Sequence, residues 1–245
     1  MLLGLETTTR HASVAIAGDT GLLASARTGR HGRHGEFVAP AIDFCRREAG
    51  IDLDALTGVA VSLGPGLFTG MRVGIATAQA LAHARGLPVV GLASLDLVAF
   101  AARHTRRSIC AVIDARRGEV AWARYQPAPG GVQRRTELAL GPPERLAGEL
   151  EADREEVLCV GDGALAHREV LSATRAAIAD EAAAYPSAES LLALARPRFA
   201  RHETQRPEEL APIYLRRPDA KIGWQERGAL HGGHGGAPAV QEGAP

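Results

Sequence analysis

A glycine-rich run is the part of this sequence whose residue types best suit the binding of an anion. Residues 64–74 are GPGLFTGMRVG, and a segment with helical periodicity follows them directly. Backbone N–H groups at the start of a helix attract phosphate and carboxylate groups. The run has no P-loop lysine and does not match GxGxxG, so tight packing of the loop against the helix stays open as the alternative.

Small residues continue from this run along one face of the predicted helix. Gly70, Gly74, Ala78 and Ala82 recur every four residues and form a small-residue ridge that lets another helix approach closely. The ridge belongs either to the core of the chain or to a partner surface.

Arg72 lies in the first turn of the same helix, where the helix dipole disfavours a cation. It therefore either binds an acidic or phosphate partner or is simply exposed to solvent.

The remaining polar groups give weaker indications. Asp114 and Glu119 could pair as acid and base, but they lie at the end of one predicted strand and the start of the next, where hydrogen bonding within the turn explains them. His31 and His34, followed by Glu36, are flanked by glycine in a loop. We expect these histidines to be solvated, and we predict no metal site.

The elements that position these residues follow from the apolar pattern. Over the first 105 residues it predicts the order strand, strand, strand, helix, strand, helix, strand, helix. The strands are predicted at residues 2–5, 12–17, 22–26, 58–63 and 89–90, and the helices between Phe37 and Gly50, from 69 to about 85 and from 94 to about 103. Thr69 and Ser94 are expected to cap the second and third helices.

The pattern then restarts, which predicts a second lobe of the same architecture. Strands are predicted at residues 109–113, 120–125, 132–140 and 157–160, helices at 143–150 and 188–195, and a closing segment at 210–215. We therefore predict an N-terminal lobe at 1–105 and a reduced C-terminal lobe at 106–224. Residues 225–245 have almost no large apolar side chain, and we expect a disordered tail.

Composition bounds the class of protein. Hydrophobic residues make up 46% of the 245 residues and charged residues 23%, which is typical of soluble globular proteins. No apolar run approaches the roughly 18 residues of a membrane-spanning helix, so we expect a cytoplasmic protein that does not contact a membrane. Basic and acidic residues balance at 28 each, so another subunit would have to hold most of any bound RNA.

The glycine run resembles the GPGSFTGLRxG signature of the TsaB/TsaD family. Residues 6–9 (ETTT) resemble its opening DTST turn, residues 114–120 (DARRGEV) its DARxGEVY element, and residues 212–216 (PIYLR) its closing PxYLR. The resemblance spans about residues 2–217. It implies an α/β protein with a duplicated actin-like, sugar-kinase-like (ASKHA) fold.

Within this family the catalytic member, TsaD, carries an HxxxH metal pair, and Ser94 and Val98 occupy the two histidine positions here. The resemblance therefore implies the non-catalytic member, with no metal and no cofactor of its own. A nucleotide or anion would lie against Glu6, Thr7, Thr9, Gly64, Gly66 and Asp114. Because Glu6 replaces the usual aspartate and adds a methylene, we do not expect this lobe alone to bind ATP, and ATP or ADP at a complex interface stays open.

The resemblance also implies a partner surface and a function. The first two helices would form a helical bundle with a TsaD-type subunit through Phe37, Val38, Gly70, Arg72, Gly74, Ala78 and Ala82, and a homodimer could use the same face. A TsaE-type ATPase would be a further partner, and tRNA would be contacted mainly through the complex. The chain would then be a pseudo-enzyme scaffold in the synthesis of N6-threonylcarbamoyladenosine (t6A) in tRNA. The alternatives are a stand-alone glycopeptidase-like hydrolase and a sugar-kinase-like phosphotransferase.

Overall fold

Two mixed β-sheets organise the computed structural model, which describes residues 1–30 and 32–216. The first sheet contains β1 (Leu2–Glu6), β2 (Ala12–Gly18), β3 (Gly21–Thr28), β4 (Gly58–Ser62) and β5 (Val89–Leu92). Its strand order is β3-β2-β1-β4-β5. The first three strands pair antiparallel, and β4 and β5 continue the sheet parallel to β1.

The second sheet repeats this order. It contains β6 (Ser108–Arg116), β7 (Glu119–Ala128), β8 (Gly131–Arg134), β9 (Ala139–Gly141), β10 (Val157–Val160) and β11 (Ala177–Ile178). Its order is β11-β10-β6-β7-β8, with β10 and β11 parallel to β6, and β9 also pairs with β7. Three antiparallel strands followed by two parallel ones in both sheets confirm the predicted duplicated actin-like fold.

Seven α-helices connect and cover the sheets in the described part of the chain. They are α1 (His34–Glu48), α2 (Phe68–Arg85), α3 (Ser94–Ala101), α4 (Pro143–Ala152), α5 (Asp162–Ala166), α6 (Arg168–Ser172) and α7 (Ala188–Ala200). The described residues contain no helix that is long and apolar enough to span a membrane. The order of the first eight elements is the predicted one.

Some local predictions are wrong for identifiable reasons. Thr69 and Ser94 do not cap their helices, because α2 begins at Phe68 and α3 begins at Ser94 itself. The strand predicted over 132–140 is divided into β8 and β9, because residues 135–138 leave the sheet between them. Sequence analysis missed α5, α6 and β11, which at five, five and two residues are too short to show a period.

The first sheet is buried on both faces. Helices α1 and α2 cover one face, and α3 and α7 cover the other. Gly4 in β1 allows α7 to pack closely, because a Cβ there would lie 2.8 Å from Leu192 Cγ. Thus α7, which follows the second sheet in sequence, completes the core of the first. The lobe boundary at residue 105 stays a prediction, and the predicted tail at 225–245 lies outside the described residues.

The small-residue ridge of α2 faces the interior of the chain. Gly70, Gly74, Ala78 and Ala82 are all buried, and so is Val38 of α1. A Cβ at Gly70 would overlap the carbonyl oxygen of Thr7, and a Cβ at Gly74 would overlap Thr7 Oγ1. The assignment of these buried residues to a partner surface is therefore wrong, because Gly70 and Gly74 pack against Thr7 in the turn after β1, and Val38, Ala78 and Ala82 lie in the core beside the first sheet.

Substitution of Gly74 by alanine tests this packing. The added methyl group must displace the Thr7 hydroxyl, and overpacking costs about 1–3 kcal/mol, which outweighs a gain in helix propensity of at most about 1 kcal/mol. We expect a net loss of about 1–2 kcal/mol and therefore a fall in melting temperature of about 2–8 °C, at about 2–4 °C per kcal/mol. The matched control is Gly148→Ala in α4, which is exposed and has no atom within 4 Å of the added Cβ. That variant should be slightly more stable than the wild type, and a Gly74→Ala variant of wild-type stability would contradict the packing.

Candidate functional site

The glycine run lies directly on the turn that follows β1. Leu67 N donates to Thr8 O at 2.6 Å, and Thr7 Oγ1 donates to Gly70 O at 2.7 Å. A Cβ at Gly66 would overlap the Thr8 carbonyl oxygen, so only glycine permits this approach. Of the two alternatives that the sequence leaves open for the run, the structure favours tight packing of loop against turn and helix.

The start of α3 holds the glycine run from the other side. Ser94 N donates to Gly64 O at 2.8 Å, and Ser94 Oγ donates to Pro65 O at 2.5 Å. Val98 is fully buried beside Leu95 in the apolar core between α3 and the second sheet. Position 94 thus holds a hydroxyl group that anchors the glycine run, and position 98 holds a core side chain.

A buried carboxyl group ends β1. Glu6 has no exposed surface, and its Oε1 accepts hydrogen bonds from Thr8 N at 2.8 Å and Thr8 Oγ1 at 2.5 Å. Its Oε2 has no hydrogen-bond partner within the described residues. Burial raises the pKa of Glu6 to about 7, although the hydrogen bonds from Thr8 oppose the shift.

The second lobe contributes two carboxyl groups to the same region. Asp162, at the start of α5, accepts a hydrogen bond from Asp114 N at 3.1 Å, and burial together with the Asp114 charge raises the pKa of Asp162 to about 6. The charge of Asp162 also raises the pKa of Glu6, so carboxyl groups of the two lobes interact electrostatically here. Sequence analysis missed Asp162. The available signal was an acid between two glycines directly after a predicted strand.

Asp114 serves the β6–β7 turn. Its Oδ1 accepts from Arg116 N at 2.8 Å, and its Oδ2 lies 3.3 Å from Arg116 Nη1. The interpretation that turn hydrogen bonding explains Asp114 is confirmed.

The histidines of the first loop have a different outcome. His34 is not solvated as expected, because it begins α1 and is buried with its Nε2 at 3.3 Å from Arg10 O. His31 lies outside the described residues.

These residues do not fit a nucleotide phosphate. Glu6, Thr7, Thr9 and Gly64 are buried, and Gly66 is turned onto the Thr8 carbonyl oxygen. The turn that would have to cradle a phosphate is therefore filled by the chain's own glycine run. The prediction of a nucleotide or anion site at these positions is not supported by the geometry, because most of the residues that would form the cradle are buried against the chain itself.

The outer faces of α1 and α2 form an open groove of about 550 Å³. Ala39 of α1 and Ala76 and Ala80 of α2 are exposed along it, and Ile42 and Leu81 lie deeper. The lining is mostly apolar, and Asp43 and Arg46 of α1 add an ion pair at 2.8 Å. The groove lies on the side of α2 opposite the buried ridge. Sequence analysis missed this face, because the four-residue repeat of small residues indicated only the ridge.

Two predicted interface residues keep some exposure. Phe37 is partly buried against the core beneath α1, and Arg72 is exposed on α2. The Nε of Arg72 donates to Tyr214 Oη at 3.3 Å, and its guanidinium carbon lies 4.1 Å from the centroid of the Phe68 ring. The structure records no acidic partner for Arg72 among the described residues.

Comparisons find relatives along most of the chain. Residues 28–224 match the family model described as TsaD, tRNA N6-adenosine threonylcarbamoyltransferase. The chain is 30% identical over 228 residues to the tRNA threonylcarbamoyladenosine biosynthesis protein TsaB of Escherichia coli K12, a match that covers 92% of this chain and 97% of the relative. Identity to the Bacillus subtilis protein of the same name is 26%, with 92% and 98% covered. YeaZ from Pseudomonas aeruginosa superposes with a TM-score of 0.79 at 32% identity, covering 87% of this chain and 99% of that structure.

Replacement of Glu6 by glutamine tests the buried carboxyl group. Because burial raises its pKa from 4.5 to about 7, the folded chain keeps a proton that the unfolded chain loses. The stabilisation from that proton is complete below about pH 4.5 and is lost as the pH rises through about 7. The full shift corresponds to about 3 kcal/mol. As the pH rises from 5 to 8, the free energy of unfolding of Glu6→Gln should therefore increase by about 1–3 kcal/mol relative to that of the wild type.

Urea unfolding at several pH values measures this gain. The buried amide of glutamine adds a penalty at every pH, so the change with pH is the informative quantity rather than the stability itself. Glu48→Gln, at the exposed end of α1, is the matched control and should leave the profile unchanged. Parallel profiles for wild type and Glu6→Gln would contradict the raised pKa of Glu6.

Proposed function

The chain belongs to the TsaB/YeaZ family, and from this premise we propose that it acts in t6A synthesis as a non-catalytic subunit that binds a TsaD-type enzyme. The family membership rests on the E. coli relative and on the YeaZ structure, each of which matches most of this chain. The relatives from E. coli and B. subtilis are both named as biosynthesis proteins for threonylcarbamoyladenosine in tRNA. The single observation that supports partner binding is the open groove between α1 and α2.

The chemistry of positions 94 and 98 supports a non-catalytic role. A catalytic metal needs several nitrogen or oxygen ligands that converge on one point. Here the Ser94 hydroxyl already donates to Pro65 O, and Val98 offers no ligand atom. We therefore propose that the transfer of threonylcarbamoyl takes place on the TsaD-type subunit.

The groove has the shape and chemistry to accept a helix of the partner. Ala39, Ala76 and Ala80 have side chains short enough for two helices to pack at the usual distance of about 8–10 Å. Burial of their apolar surface would favour association. A second copy of this chain would compete for the same groove, so we propose that any homodimer and the heterodimer exclude each other.

The other components keep the roles that the family implies. The chain has 28 basic and 28 acidic residues, which is consistent with tRNA being held mainly by other subunits. We propose that a TsaE-type ATPase joins the complex, and that any ATP or ADP lies at the complex interface, because the turn after β1 is filled. This chain needs no cofactor of its own in this scheme.

Reconstitution tests the function. The purified chain is mixed with the TsaD-type and TsaE-type subunits, an adenylate-forming enzyme, threonine, bicarbonate, ATP and unmodified tRNA, and t6A is measured by nucleoside analysis. We expect t6A only when both this chain and the TsaD-type subunit are present. Equal t6A without this chain would overturn the proposal, and cleavage of a glycopeptide by the chain alone would favour the hydrolase alternative.

Ala80→Arg tests the groove as the partner surface. The long cationic side chain would fill an apolar contact and bury an unpaired charge, which should weaken binding of the TsaD-type subunit at least about tenfold, or about 1.4 kcal/mol. Ala166→Arg makes the same change at an exposed position of the second lobe and should leave binding unchanged. Both variants should melt like the wild type, because both alanines are exposed. Wild-type affinity in Ala80→Arg, measured by calorimetry, would exclude the groove as the partner surface.

A further inference from the structure

Three exposed side chains form a cluster at the N-terminal end of α2. Phe68 is 54% exposed and Tyr214 is 41% exposed, and their rings stack with centroids 5.6 Å apart. The guanidinium carbon of Arg72 lies 4.1 Å from the Phe68 centroid, and Arg72 Nε donates to Tyr214 Oη at 3.3 Å. Six large apolar side chains in the described part of the chain are exposed, and two of them meet in this aromatic–arginine cluster.

The backbone on both sides of the cluster is firmly anchored. Tyr214 follows Ile213, whose N donates to Leu63 O at 2.8 Å. Upstream, Gln205 exchanges backbone hydrogen bonds with Val89 at 2.8 and 3.1 Å, and Gln79 of α2 donates to Pro207 O at 3.1 Å. Residues 205–213 are thereby fixed along β5 and α2, so Tyr214 is held where it meets Arg72.

The orientation of Arg72 leaves one edge of its guanidinium free. Arginine has five N–H donors, and the Nε–H of Arg72 is used by Tyr214. The four terminal N–H groups have no acceptor among the described residues. One face of the group rests on Phe68, which removes water from that face and restricts the side chain. What remains is an end-on pair of donors with the geometry that binds both oxygens of a carboxylate.

The surroundings of the cluster favour a protein carboxylate over an RNA phosphate. RNA backbones are bound by several cations at once, whereas the neighbouring exposed positions on the outer face of α2 are Thr69, Ala76 and Ala80. Exposed aromatic rings and arginine are enriched at protein–protein interfaces. Arg72 lies about one helical turn before Ala76, which lines the groove together with Ala80.

We propose that Phe68, Arg72 and Tyr214 form a clamp that binds an aspartate or glutamate side chain of the TsaD-type partner. This inference rests on the proposed function and adds the chemistry of one contact. The partner's carboxylate accepts two hydrogen bonds from the terminal nitrogens of Arg72, while its neighbouring apolar atoms cover the rings of Phe68 and Tyr214. The clamp therefore anchors one end of the interface, and the groove accommodates the rest.

Titration calorimetry of the chain with its own organism's TsaD-type subunit, at low and high salt, tests the clamp. Arg72→Ala should weaken binding about 10- to 100-fold and reduce its dependence on salt. Arg72→Lys keeps the charge but lacks the planar pair of donors, so it should lie between wild type and alanine. Tyr214→Phe removes only the hydroxyl that orients Arg72 and should weaken binding by a smaller factor. The matched control, Arg168→Ala, changes an exposed arginine of the second lobe and should bind like wild type.

The outcomes separate the clamp from the groove. If Ala80→Arg weakens binding and Arg72→Ala does not, the clamp is overturned and the proposed partner surface stands. If Arg72→Lys restores full wild-type affinity, a simple charge is sufficient and the clamp is again overturned. If Arg72→Ala leaves the affinity for the partner unchanged but lowers the affinity of the complex for tRNA, the group bound is a phosphate and the carboxylate is excluded. If the wild-type chain does not bind the TsaD-type subunit, both proposals fail.

Discussion

The rest of the structure depends on the direct contact between the glycine run and the turn after β1. Side chains are absent at Gly66, Gly70 and Gly74, so the backbone of α2 and its preceding loop lies against Thr7 and Thr8. Hydrogen bonds from Leu67 N and Thr7 Oγ1 hold the two segments together. A glycine contact of this kind is intolerant of substitution, since even one methyl group has no free volume to occupy.

This contact accounts for the chemistry of the region. It fills the turn that would have to bind a phosphate, next to the buried Glu6, whose pKa is raised by loss of solvent. It also sets the rotation of α2. Because the small residues face inward onto Thr7, the opposite face with Arg72, Ala76 and Ala80 faces solvent. The same contact therefore fills the turn after β1 and leaves the outer face of α2 accessible to other molecules.

The sequence was sufficient to predict the order of the strands and helices, but not which face of α2 is buried. Strand and helix periods identified nearly all elements of the first lobe, because long apolar patterns with glycine stops leave few alternatives. The ridge from Gly70 to Ala82 was ambiguous, since small residues suit both a core contact and an interface between subunits. Only the position of Thr7 decides between them, and that contact joins residues more than 60 positions apart. Asp162 escaped notice for a related reason, because its importance comes from proximity to Glu6 across the two lobes.

The packing of α7 has a consequence for synthesis of the chain on the ribosome. A polypeptide leaves the ribosome N-terminus first, and domains commonly fold as they emerge. Here the face of the first sheet that contains Ala15, Ala17 and Ala60 is covered by Leu191 and Leu192 of α7, which are made only after the whole second sheet. Until α7 is made, α3 covers only part of this apolar face through Leu97, so the core of the nascent first lobe is incomplete. This core can therefore be completed only after the second sheet and α7 have been synthesised.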